Sequence, residues 1–211
     1  MTSPAAAVGV DFDNTLVSYD GLLQRLALER GLISPATRPD KKTIRDEVRQ
    51  LPGGEVEWQK LQAVAYGSGI DCAVLIPGAE QFCAAAGRRG VPLHIVSHKT
   101  EFAGYDEARV NLRDAALGWM RRHRFFEPEG LGFSLDRVHF VSSRADKLRL
   151  IGSLRCRCFI DDLEETFAEP DFPAGVEKIL YAPHQPAPVP EGVTVRSDWR
   201  EISDYVLGPG A

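Results

Sequence analysis

Two aspartates one residue apart, Asp11 and Asp13, close the apolar run of "VGVDFDNTLV". A short apolar run that stops at carboxylates reads as a buried strand delivering them to its tip. An aspartate there can attack phosphorus and form an aspartyl phosphate, dividing one difficult hydrolysis into two easier displacements. A second carboxylate two positions on can protonate the leaving oxygen, then take a proton from the attacking water.

Other runs end in groups that suit the same chemistry. Ser97 closes "LHIVS", Lys147 comes soon after "VHFV", and Asp161 and Asp162 close "CFIDD". On a shared rim these would bring together four carboxylates, one hydroxyl and one ammonium. Carboxylates that close raise one another's pKa and cannot all stay ionised without a cation. The converging ligands are all oxygen, with no His or Cys, which favours Mg²⁺ over zinc. Lysine and the hydroxyl would hold and neutralise phosphoryl oxygens as charge moves in the transition state.

The elements that must position these groups follow from the pattern of the chain. Strand-like runs occur at "AVGVDF", "PLHIVS", "RVHFVS" and "RCRCFIDD", with a fifth at "VEKILYA". Helical spacing lies between them, over 79–88, 107–122 and 147–154, the last with Asp146 as its cap. Alternating strands and helices predict an α/β fold, a Rossmann-like three-layer sandwich with a parallel central sheet, whose ligands bind beyond the strands' carboxyl ends. Residues 20–76 interrupt the alternation with three helical patterns, "GLLQRLALERGL", "DKKTIRDEVRQL" and "GEVEWQKLQAVAYG", and no clear strand. We therefore divide the chain into a core of residues 1–19 and 77–211 and an inserted helical subdomain of residues 20–76, with hinges at 18–21 and 76–78. "HQPAPVPEG" near the end is a Pro-rich loop.

Composition narrows the class. The chain has 211 residues, 44% hydrophobic and 26% charged, enough for a real core. Its formal net charge of -5, without an unbroken basic block, makes long duplex nucleic acid an unexpected partner. "MTSPAAAVGV" lacks the charged and apolar regions of a signal peptide, and no apolar stretch approaches the roughly 20 residues that span a bilayer, so the expected location is cytoplasmic, without membrane association. Cys72 and Cys83 stand alone, and Cys156 and Cys158 are expected to pack within a strand, since no second Cys or His pair has zinc-site spacing.

Taken in order, "VGVDFDNTLV", "LHIVS", Lys147 and "CFIDD" resemble the four short motifs of the haloacid dehalogenase (HAD) superfamily. The resemblance covers residues 7–19 and about 77–183, and the insertion has the position and helical character of that superfamily's first cap type. It implies that Asp11 is the nucleophile and that Asp13 is the general acid and base, with its backbone carbonyl on the metal. Ser97 would bind phosphate, and Lys147 would pair with Asp11 and the phosphoryl group. Asp162 would be the direct Mg²⁺ ligand, with Asp161 a second or outer ligand, and Thr15 would support the nucleophile loop. Members that cleave carbon to halogen bonds lack the second aspartate, so Asp13 points to hydrolysis of a phosphomonoester. Lys99 and Arg144 compete for the motif lysine, and Lys147 is preferred because it opens a helix ahead of "CFIDD".

Bland readings compete elsewhere. Arg38, Lys41, Lys42, Arg45 and Arg49 fit an ordinary solvated helix face, Trp58 and Tyr66 fit packing within the insertion, and His94 fits the core. His98 and Lys99, beside Ser97, are candidates for contact with substrate. The expected partner is a small phosphorylated metabolite. An insertion this small leaves the entrance open unless another subunit covers it, so a homo-oligomer is one expectation. Rivals to hydrolysis are phosphoryl transfer to a sugar hydroxyl, as in a mutase, and a scaffold that binds without turnover.

Overall fold

Val8–Val10 is apolar without alternation and buried throughout, the pattern of a strand covered on both faces. In the computed structural model, which describes residues 6–106, 108–184 and 189–210, this strand, β1, lies inside a six-stranded sheet. The others are β4 (Leu93–His98), β5 (Val138–Val141), β6 (Cys158–Asp161), β7 (Glu177–Tyr181) and β8 (Val193–Arg196). Their order is β5-β4-β1-β6-β7-β8, and every adjacent pair runs parallel. This is the predicted α/β arrangement. β8 extends it at the edge beyond the five runs visible in the sequence.

Helices cover both faces of this sheet. On one, Val96 of β4, Phe159 of β6 and Leu180 of β7 pack with Leu148 and Ile151 of α6 (Arg144–Ser153) and Phe167 of α7 (Glu164–Ala168). On the other, Phe82 of α4 (Ala79–Arg88) lies 4.9 Å from Trp199 of α8 (Trp199–Leu207), which in turn faces Tyr181. Gly9 permits the closest approach within the sheet: a Cβ there would stand 2.5 Å from the Phe159 ring.

The first compact unit consists of residues 1–16, 75–99 and 123–211, and the second of 17–74 and 100–122. The second contains α1 (Asp20–Glu29), α2 (Lys41–Arg49), α3 (Gly54–Tyr66) and α5 (Leu112–Arg122). Asp20 accepts the Lys41 N–H, tying the starts of α1 and α2 together. Trp58 is buried, and Tyr66 sits edge-on against Tyr19, so both pack within this unit. The helix read from 107–122 begins only at Leu112, where the Asn111 side chain accepts from the N–H groups of Arg113 and Asp114; Glu107 lies outside the described residues. That helix belongs with the second unit because its Trp119, wholly buried, donates to the Ala73 carbonyl.

Two details differ from the sequence pattern. Strands β2 (Val17–Ser18) and β3 (Val74–Leu75) pair in a separate two-stranded sheet, and at two residues each they leave no periodicity to read. α6 is capped by Ser143 rather than Asp146 and starts at Arg144: the Ser143 hydroxyl accepts from the Asp146 N–H and donates to its carboxylate. Among the described residues, no helix is long and apolar enough to cross a membrane.

Candidate active site

β1 lies between β4 and β6, so the carboxyl ends of these three strands meet at the centre of one sheet edge. Asp11 extends β1 by one step, its N–H donating to Ile160 of β6 at 2.8 Å. The chain then turns: Leu16 N–H returns to the Phe12 carbonyl, and Asn14 takes a left-handed φ of 62°, which Asn tolerates better than most residues. The Trp199 indole clamps this loop by donating to the Thr15 carbonyl.

The segment "CFIDD" arrives from β6. Carboxylate oxygens of Asp11, Asp161 and Asp162 lie within 4.8 Å of one another. Asp161 is fully buried; its Oδ1 accepts the Leu163 N–H and its Oδ2 accepts from Lys147 at 2.8 Å. Asp162 is half-buried and accepts from the Thr15 hydroxyl at 3.5 Å, the outer limit of a hydrogen bond.

Lys147, in the first turn of α6, donates to Asp11 Oδ1 at 2.6 Å as well as to Asp161. Lys99 goes elsewhere. Its ammonium is 2.8 Å from Asp13 Oδ2. The two lysines that compete in the sequence thus occupy different carboxylates, and Lys147 is the one on Asp11. Arg144 pairs with Glu169 instead. Ser97 is buried near the end of β4, beside β1. His98, the last residue of that strand, is exposed and its ring meets the Ser142 carbonyl at 3.2 Å.

The electrostatics follow from this crowding. Burial pushes the Asp11 carboxyl up to about 7; Lys147 opposes the shift, while Asp161, Asp162 and Asp13 add to it. Burial also works to lower the Lys147 pKa, yet Asp11 and Asp161 outweigh it and hold the ammonium above the ordinary lysine range. Asp11, Asp13, Asp161 and Asp162 set four carboxylates against the ammonium groups of Lys99 and Lys147, a net formal charge of two negatives. A hard divalent cation fits that donor set, because it supplies the missing charge and prefers oxygen ligands.

Outside the site, three of the four cysteines are buried packing residues, and the exposed Cys72 accepts from Arg25. Cys83, Cys156 and Cys158 are buried, and burial raises all three thiols, to about 12, 11 and 12. Two basic residues of α2 form surface ion pairs, Arg49 with Glu55 and Arg45 with Asp46.

Sequence pattern alone missed two features of the site. One is the left-handed Asn14, whose side-chain oxygen is buried without a hydrogen-bond partner among the described residues; "DFDNT" does contain the Asn such a turn favours. The other is the pairing of Lys99 with Asp13, for which spacing gives no signal because β4 must first be laid beside β1.

No protein-family profile matches the chain, and no curated protein sequence matches it. Solved structures do. A HAD-family hydrolase of Deinococcus radiodurans R1, solved with bound phosphate and sodium, superposes with a TM-score of 0.57 at 18% identity, covering 97% of this chain and 96% of that one. A family IA, variant 3 HAD hydrolase of Entamoeba histolytica gives 0.57 at 15%, covering 96% and 97%. A dehalogenase gives 0.53 at 14%, covering all of both chains. The fold is therefore that of HAD hydrolases, shared by hydrolases of more than one chemistry.

Proposed function

We propose that the chain is a HAD-superfamily phosphatase, hydrolysing the phosphomonoester of a small metabolite through an aspartyl phosphate on Asp11. One observation carries the reading: Asp11, buried and fixed by Lys147, lies in a three-carboxylate cluster with buried Asp161 and half-buried Asp162, two residues before a carboxylate with its own buried lysine. Carbon–halogen cleavage needs no acid for a leaving oxygen, so the Asp13–Lys99 pair favours phosphoryl chemistry over dehalogenation. The phosphate bound to the Deinococcus hydrolase is a further support.

In this reading an Asp11 carboxylate oxygen attacks phosphorus as the bond to the leaving oxygen breaks, and Asp13 gives that oxygen its proton. Water then attacks phosphorus, Asp13 takes its proton, and the bond from phosphorus to Asp11 breaks. Lys147 favours the ionised form of the nucleophile and orients it, and Ser97, near the end of the neighbouring strand, binds a phosphoryl oxygen. Asp11, Asp161 and Asp162, with the Asp13 backbone carbonyl, would hold Mg²⁺, which when bound supplies positive charge to the phosphoryl group. Residues 20–76 are the proposed cap.

The test is release of inorganic phosphate from a panel of phosphorylated sugars, nucleotides and acids, with Mg²⁺ and with chelator. Metal-dependent release, abolished in a folded Asp11→Asn variant, is expected. A rearranged sugar phosphate in place of free phosphate would indicate transfer, and unchanged turnover by Asp11→Asn would remove Asp11 from the role.

A further inference from the structure

A buried ammonium is costly unless a charged partner compensates it, so the place where a chain buries one is informative. The Lys99 side chain is 2% exposed, whereas its partner Asp13 is 15% exposed. The ammonium is therefore buried more deeply than the carboxylate it pairs with.

Both ends of Lys99 are fixed. Its N–H donates to the Val141 carbonyl at 2.9 Å, continuing the pairing of β4 with β5 past the last residue of the strand. Its ammonium stands 5.9 Å from the centre of the Phe12 ring, within cation–π range. Phe12 is itself fully buried and edge-on to Phe125 at 6.3 Å. The salt bridge therefore anchors Asp13 Oδ2 to the sheet rather than to the loop that carries it.

We propose that Lys99 is a positioning residue: its buried ammonium holds one oxygen of Asp13 so that the other carries the proton to and from the reacting oxygen. This rests on the phosphatase reading and replaces the expected contact of Lys99 with substrate. Lys99 acts through Asp13 and does not touch the phosphoryl group. Its loss is then felt in proportion to how much the leaving oxygen needs a proton.

The experiment compares two esters of similar size, p-nitrophenyl phosphate, whose leaving group departs unaided, and benzyl phosphate, whose alcohol requires an acid. Lys99→Met should lower kcat/KM about 100-fold for benzyl phosphate and less than about 3-fold for p-nitrophenyl phosphate, the scale of a misplaced general acid. Inhibition by inorganic phosphate should not change, Lys99→Arg should recover part of the benzyl activity, and Lys99→Met should add no further loss to Asp13→Asn. An equal loss on both esters, weakened phosphate inhibition, or a further loss in the double variant would overturn the proposal while leaving the phosphatase reading intact. If wild-type protein releases phosphate from neither ester and from no member of the phosphorylated sugar, nucleotide and acid panel, the phosphatase reading fails and this proposal with it. Should Lys99→Met not fold, Lys99→Arg carries the test: a cation displaced from its place should still change the ratio of the two activities, and an unchanged ratio overturns the proposal.

Discussion

At the scale of single residues, the site is governed by the conflict between burial and charge at Asp11. Its carboxyl, ordinarily near 3.8, is pushed to about 7 in the folded chain. Between those values the folded state holds a proton that the unfolded state has released. The stability this group contributes is thus full below 3.8 and is lost as pH rises through 7. A cation that requires ionised Asp11 competes with that same proton. Mg²⁺ should therefore raise the melting temperature more at about pH 8 than at about pH 5, and Asp11→Asn should abolish the difference. Thermal denaturation across pH, with and without Mg²⁺, measures this directly; an equal Mg²⁺ effect at both pH values would count against the cluster. Asp11, Asp13, Asp161 and Asp162 stood out in the sequence because several strand-like runs end in groups of one chemistry, which a parallel sheet brings to one edge. The pairing of Lys147 with Asp11 was expected from the resemblance, whereas that of Lys99 with Asp13 was not legible, since partners so distant in the chain are joined only by the fold.

Elements were legible where their pattern was long. The runs that became β1, β4, β5, β6 and β7 stand out as blocks of apolar residues, and α2 announces itself through Asp40, whose side chain accepts from the Thr43 N–H at the helix start. β8, "VTVR", is half-exposed at an edge and mixes polar with apolar residues, so it lacks the buried-strand signature. Two predictions belong at this scale. In β1, Gly9→Val would drive a side chain into the Phe159 ring, which cannot withdraw from a full core, and should cost about 2–3 kcal/mol by denaturant titration. Between β4 and β5, His94 and His139 stack with ring nitrogens 3.3 Å apart, so His94 is half-buried against a second imidazole rather than part of the core. Burial lowers both from 6.5, and His139 lowers His94 further. The unfolded chain therefore protonates first, and the stability these residues contribute above 6.5 is lost as pH falls below it. His139→Gln should flatten the decline in melting temperature between about pH 7 and about pH 5; an unaltered decline would show that the pair is not its source.

For the whole molecule, the parallel order β5-β4-β1-β6-β7-β8 makes one edge of the sheet the meeting place of groups scattered from residue 11 to residue 162. Parallel α/β folds bind ligands at that edge, because successive crossovers bring every strand there in the same direction. The alternation of strands and helices carried this information in the sequence. The division into two units was only partly legible, since α5 joins residues 17–74 through the buried Trp119, a tertiary contact that no local pattern foretells. The proposed reaction requires that Asp11 become phosphorylated. A single turnover of an active phosphate ester, quenched in acid and followed by mass spectrometry of the peptide that carries Asp11, tests this directly. We predict a phosphoryl group on Asp11, appearing and decaying with turnover and absent from Asp11→Asn; free phosphate released with no such adduct, by a variant that keeps its activity, would contradict the account.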